Sequence, residues 1–196
     1  MAGQWMRPAA LCLVLLAAPG AAAAEPEVTW YEVHGDTLRE VGEWMDRHGP
    51  ASADGRRFHG YTEWAVSWRY RYRPGRTGCA VTALETDLAV TMQLPRWHPG
   101  ADASPAAIGE WARYSAALRA HEDGHAEIGA SAAGAIRQEL SALRNASGCE
   151  ALAKELDARG MAIIEEHQAR EREYDASTRH GATQGARLQV DQREAR

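Results

Sequence analysis

Phenylalanine and lysine are almost missing from this chain, with Phe58 and Lys154 the single example of each among 196 residues. A basic excess is also missing: 22 Lys and Arg face 27 Asp and Glu, a formal net charge of −5. That balance speaks against a protein that holds nucleic acid on a cationic face. Gly (18) and Pro (8) are too few for a collagen-like or low-complexity chain. Beyond the first two dozen residues no apolar run reaches the length needed to cross a bilayer, so a multispanning protein is excluded. What remains is an ordinary globular balance, 45% hydrophobic and 25% charged, sized for one compact domain.

The N-terminus reads as a secretory signal peptide over residues 1–24. Arg7 supplies the positive start, Ala9–Ala18 the apolar run and Ala22–Ala24 the small-residue cleavage site. The domain is then expected over 25–187, with a polar, frayed tail over 188–196. Without Arg7 the mature chain carries −6, and the expected compartment is secreted or periplasmic, in a bacterium. Export leaves two cysteines, Cys79 and Cys149, in an oxidising environment where such a pair is expected to bridge.

The pattern divides near Pro95–Pro105. Before it, Val28–Val33 is a short strand, and Asp36 can cap a helix carrying Leu38, Val41 and Met45 up to Gly49-Pro50. Trp64, Val66, Trp68, Tyr70 and Tyr72 alternate with polar or small residues, a strand with one packed face. Pro74–Gly78 is turn chemistry, and Leu84, Leu88, Val90, Met92 and Leu94 return on matching parity, which predicts a long antiparallel hairpin. After Pro105, Ile108, Trp111, Leu118, His125, Ile136 and Leu140 recur at helical steps. A second helix opens at Cys149, and the short connection implies an antiparallel pair.

Chemistry is concentrated in His121-Glu122-Asp123-Gly124-His125, an HExxH string. On a helix the two imidazoles lie one turn apart on the same side, suited to two corners of a zinc tetrahedron. Glu122 stands beside the metal position, where it can take a proton from water. Residues 128 and 131 are Ile and Ser, so the metzincin extension of this motif is missing and a third ligand must come from farther along. The returning helix brings 165–180 back toward the motif, a window holding Glu165, Glu166, His167, Glu171, Glu173, Tyr174, Asp175 and His180. His167 lies on the apolar stripe of that helix and is a reserve ligand. His34, His48, His59 and His98 lack ligand spacing and read as surface or structural residues.

Leu94-Pro95-Arg96-Trp97, Trp111 and Tyr114 ahead of the HEDGH string, Cys149, and above all the segment Tyr174-Asp175…Thr178…His180-Gly181…Gln184-Gly185-Ala186 carry a resemblance. Across about 28–187 the chain resembles a family of predicted secreted bacterial zinc-dependent proteases, a bacterial domain of unknown function. The resemblance implies zinc on His121 and His125, Glu122 as general base, and completion of the site by the Tyr-Asp/Thr/His-Gly segment. Within that segment His180 is the expected third ligand, since a neutral imidazole suits zinc and Gly181 frees the backbone to aim it. Asp175 would then orient a histidine, and Tyr174 would donate to the oxyanion formed during hydrolysis. Asp175 itself, or a Glu of the second helix, remain the rival ligands.

The expected fold is α+β: a small antiparallel sheet packed on two long antiparallel helices, zincin-like, tied by Cys79–Cys149. The expected activity is zinc-dependent hydrolysis of a peptide or protein substrate, with no nucleic-acid partner and no membrane span once the leader is removed. An exported binding module with a structural or inactive zinc, recognising a cell-envelope component, is the alternative. A zinc amidase of cell-wall peptide is another.

Overall fold

The structure is a computed structural model that describes residues 25–52 and 54–190. The expected leader over 1–24 and the tail residues 191–196 lie outside the described residues. In chain order the elements are β1 (Glu27–Val33), α1 (Leu38–His48), β2 (Tyr61–Gly75), β3 (Gly78–Trp97), α2 (Pro105–Ser141), β4 (Arg144–Asn145) and α3 (Cys149–Thr178). The class is α+β. Among the described residues no helix is long and apolar enough to cross a membrane.

The alternating segment forms the hairpin its pattern predicts. Trp64 pairs with Val90, Val66 with Leu88 and Tyr70 with Leu84, so the apolar residues of both strands share the face turned to the helices. One register shift falls between Arg71 and Tyr72. The sheet departs from the expected all-antiparallel form at β1, which runs parallel to β3 with Val28 opposite Met92 and Val33 opposite Trp97. A parallel neighbour needs a crossover, and α1 with β2 supplies that length of chain. Helix α1 is capped by Thr37 rather than Asp36. The Thr37 hydroxyl accepts from the Glu40 amide at 3.3 Å, while the Glu40 carboxylate accepts from the Thr37 and Asp36 amides at 3.1 and 2.9 Å.

Helix α2 starts at Ser104, whose hydroxyl accepts from the Ala107 amide, with Pro105 in the first turn where its missing N–H costs nothing. It ends at Ser141. Helix α3 returns antiparallel, so Arg159 meets Glu139, His167 meets Ser131 and Asp175 meets His121. Two tryptophans set how closely this pair lies on the sheet. Trp64 packs on Gly129 of α2, where an added Cβ would sit 2.6 Å from its ring, and Trp68 packs on Gly160 of α3.

Two cores result. One gathers Val33, Leu38, Val41, Met45, Met92, Leu94 and Tyr114, and the other Ile136, Leu140, Leu152, Leu156 and Ile163 around Cys79. Each fully buried Leu or Ile contributes about 1.5–3 kcal/mol over exposure. Cys79 is bonded to Cys149, joining the hairpin to the start of α3. Leu188 packs on the first core and the Gln189 amide donates to Glu110, so the fold extends past residue 187.

Candidate metal centre

Helix α2 carries His121, Glu122 and His125 on the face turned to α3 and the start of β2, and all three are buried. The imidazoles meet edge to face, with ring centres 4.9 Å apart. Opposite them, α3 brings in Asp175. His121 Nε2 lies 3.3 Å and His125 Nε2 3.1 Å from Asp175 Oδ1. One donor atom from each of His121, His125 and Asp175 falls within 4.8 Å of the others, a group able to hold a metal ion.

The far nitrogens of both rings are committed elsewhere. His121 Nδ1 donates to Gln184 Oε1 at 2.9 Å, and His125 Nδ1 to Glu171 Oε1 at 3.3 Å. That places the protons on Nδ1 and leaves both Nε2 lone pairs free for a metal. Glu171 is itself fixed by the Trp64 indole N–H at 2.7 Å. The donor set of two imidazoles and a carboxylate, with their outer hydrogen bonds in place, fits zinc.

Electrostatics point the same way. In the metal-free protein, burial works against charge on His125, but hydrogen bonds to Asp175 and Glu171 and the nearby Glu122 lift its pKa to about 9. Asp175 is held well below the usual carboxylate range: burial would raise it, and the bonds and charges of the surrounding histidines outweigh that. A pocket that draws a proton onto His125 is one in which a dication can replace it.

Glu122 is 3% exposed. Its Oε2 accepts from the Thr62 hydroxyl at 2.7 Å, and its Oε1 abuts Gly60, where a Cβ would sit only 2.6 Å away. The segment before β2 therefore closes over this carboxylate because residue 60 has no side chain. Burial raises the Glu122 pKa, while Thr62, His125 and His121 oppose the rise. A carboxylate with a raised pKa is suited to carry a proton during a reaction.

Asp175, expected to orient a histidine, thus supplies the third donor atom of the compact group. His180, the expected ligand, stands one step out: half-exposed, with Nδ1 3.3 Å from the same Asp175 oxygen. The reason is backbone geometry at the end of α3. Arg179, His180 and Gly181 are consecutively left-handed, with φ of 54°, 51° and 78°. For the two residues with side chains this stores strain of about 1–3 kcal/mol each. The turn doubles the chain back through the short 3₁₀ segment Ala182–Gln184, which is how Gln184 reaches His121.

Tyr174 occupies a different place from the one expected. Its ring stacks on His121 at 5.0 Å, and its hydroxyl donates to the His121 carbonyl at 3.2 Å and accepts from Gln184 Nε2 at 3.0 Å. An added Cβ at Gly124 would strike that hydroxyl, so the glycine of HEDGH makes room for it. Tyr174 lines a second cavity of about 470 Å³, with Ser131, His167 and Arg170, and not the cleft over the metal centre. The reserve ligand His167 is also elsewhere. It is buried, with Nδ1 donating to the Ile163 carbonyl at 2.8 Å and Ser131 3.3 Å from Nε2.

The centre opens into a cleft of about 780 Å³. Its walls are the segment 56–62, Asp46 of α1, Tyr114 and Leu118 of α2, and Gln168 to Asp175 of α3. His59, read from sequence as surface or structural, lies in this cleft. Gly60 and Thr62 carry no motif, whereas Glu171 lies in the window expected to face HEDGH and Gln184 in the C-terminal segment that carries the resemblance.

No curated protein and no solved structure matches the chain. A family of bacterial sequences does match, over residues 28–181, which takes in the whole hairpin, both long helices and the HEDGH string. Since that match spans most of the sequence, the chain belongs to the family described as bacterial protein of unknown function (DUF922).

Proposed function

We propose that this chain is an exported zinc-dependent metallopeptidase. The observation that carries the proposal is the convergence of His121 Nε2, His125 Nε2 and Asp175 Oδ1 at the floor of a cleft, beside a buried Glu122. A zinc ion held by these three residues would supply Lewis acidity toward a substrate carbonyl and make water a better nucleophile. Glu122, clamped by Thr62, accepts a proton from the attacking water and passes it to the leaving amine as the C–N bond breaks. Glu171 and Gln184 keep the two rings aimed.

The cleft is large enough for several residues of a peptide. Peptide or protein in the cell envelope is therefore the proposed substrate class, and comparing casein with cell-wall peptide separates a peptidase from a wall amidase. Export is supported by the leader-like start of the sequence and by the disulfide between Cys79 and Cys149.

The deciding experiment is Glu122→Gln. The variant is expected to bind one zinc as the wild type does and to lose turnover by at least about 100-fold. Full turnover in Glu122→Gln would refute the mechanism. The nearness of His180 to Asp175 favours one other reading, in which His180 closes the coordination sphere and the zinc is structural. Four protein ligands on zinc in the wild type, with no hydrolysis of casein, would establish that binding module instead.

A further inference from the structure

A chain with more acid than base nonetheless has one end built without acid. Residues 71–84 and 140–149 hold Arg71, Arg73, Arg76 and Arg144 and no Asp or Glu. The fold brings both segments together at the tip of the hairpin. Arg73 of β2 pairs with Ala80 of β3, and Ala80 pairs with Arg144 of β4, so the two arginines stand on one face of the sheet across a small residue. Arg71 precedes Arg73 by two residues, the spacing that returns a side chain to the same face, and Arg76 lies in the turn between the strands. The segment around β4 is fixed against that turn. An added Cβ at Gly78 would strike the Asn145 carbonyl, and the Cys79–Cys149 bond closes the assembly.

These charges have no internal counterpart. All four arginines are exposed. Arg69, farther from the tip on the same face, is neutralised by Glu85 and Asp87 at 3.3 and 3.2 Å. Among the described residues no carboxylate pairs with Arg71, Arg73, Arg76 or Arg144. Two acids in the first turns of α3 are engaged elsewhere: Glu150 pairs with Lys154 at 2.9 Å, and Glu155 accepts from the Asn145 side chain at 2.8 Å. Strand pairing and a disulfide thus hold four like charges at one end, an arrangement that an external anion relieves. Beside them, on the other face of β2, Tyr72 is 42% exposed.

We propose that the tip of the β2–β3 hairpin, with Arg71, Arg73, Arg76 and Arg144, is a docking surface for a bilayer that carries anionic phospholipid. The inference goes beyond the peptidase reading and takes from it only export, which sets nucleic acid aside. Guanidinium forks match the oxygens of headgroup phosphates. A tyrosine with an apolar ring and a polar end suits the same headgroup level, which favours a bilayer over an anionic polysaccharide. The net negative charge of the chain does not oppose this contact. At physiological salt the Debye length is about 8 Å, so acids far from the tip are screened from the surface it meets. Thr62, which clamps Glu122, lies at the opposite end of β2 from Gly75. At about 3.3 Å per residue that is roughly 40 Å of strand, so docking by the tip turns the metal centre away from the bilayer.

The test is sedimentation of the mature, disulfide-bonded chain with vesicles, one part phosphatidylglycerol to two parts phosphatidylcholine, beside vesicles of phosphatidylcholine alone. It needs neither zinc nor turnover, so its outcome is separate from that of the peptidase assay. Each arginine at an anionic surface is expected to contribute about five-fold to the affinity, and the wild type to prefer the phosphatidylglycerol vesicles by about 100-fold or more in low salt. In about 1 M salt, where the Debye length is about 3 Å, the preference is expected to vanish. Arg71→Gln with Arg73→Gln is expected to lose about 25-fold and Arg144→Gln about five-fold, since all three side chains are exposed and their removal spares the core. Arg71→Glu with Arg73→Glu is expected to lose more. Arg39→Glu with Arg47→Glu, on α1, makes the same change in net charge and is expected to keep the affinity within about two-fold. A wild type with no preference for phosphatidylglycerol overturns the proposal. Equal losses in the two glutamate pairs overturn it too, because they trace the binding to net charge and not to the tip. Binding to heparin without binding to the vesicles assigns the arginines to a polysaccharide and likewise overturns it.

Discussion

Replacing Asp175 and His180 in turn separates the two candidates for the third ligand. Asp175 Oδ1 is within 3.1–3.3 Å of nitrogens from His121, His125 and His180, so Asp175→Ala removes the atom on which the group closes. His180→Ala leaves the compact His121, His125 and Asp175 group whole. Asp175→Ala is therefore expected to weaken zinc binding by about 100-fold or more, and His180→Ala by about 10-fold at most. These affinities translate directly into thermal shifts. At free zinc of about 100 times the wild-type Kd, binding stabilises the wild type by about 2.7 kcal/mol, a rise in Tm of about 5–10 °C for a domain of this size. The same zinc gives Asp175→Ala about 0.4 kcal/mol, a rise of roughly 1 °C, and leaves His180→Ala with about 1.4 kcal/mol, or roughly 3–6 °C. The assay is a thermal melt with and without zinc, beside elemental analysis of the dialysed proteins. One zinc retained in Asp175→Ala together with its loss in His180→Ala would refute the reasoning and return the third position to the histidine.

Two further predictions concern the scaffold. Gly124→Ala is expected to cost about 1–3 kcal/mol, because the new methyl meets the Tyr174 hydroxyl, and Tyr174→Phe in the same chain should recover much of it; additive losses in urea melts would show that the two residues are not coupled. Replacing both Cys79 and Cys149 by Ser releases a loop closed by cysteines 70 residues apart and is expected to cost about 4 kcal/mol, while a loss under 1 kcal/mol would mean that the hairpin and α3 stay docked without the bridge.

The sequence by itself determined the local elements and half of the centre. Period-two alternation in Trp64–Tyr72 and its matching parity in Leu84–Leu94 specify a hairpin because pleating puts every second residue on one face. Histidines four apart on a helix share a side whatever the rest of the fold does, so His121 and His125 could be paired without coordinates. The short link before Cys149 was enough to turn the second helix back and to narrow the third donor to 165–180. Only the tertiary structure decided which residue in that window faces the motif. Helix α3 docks where Gly129 and Gly160 admit Trp64 and Trp68, and that docking, with no trace in local periodicity, brings Asp175 to both Nε2 atoms. The left-handed turn at Arg179–Gly181 then sends His180 to the rim and Gln184 to the back of His121. The same limit hid His59 and the parallel pairing of β1. A histidine in a loop shows no spacing to read, and the cleft that gives it neighbours is made by chain segments some 13 and 55 residues away. A motif records what a single element presents, whereas a site is closed by the distances between elements, and those are set by packing.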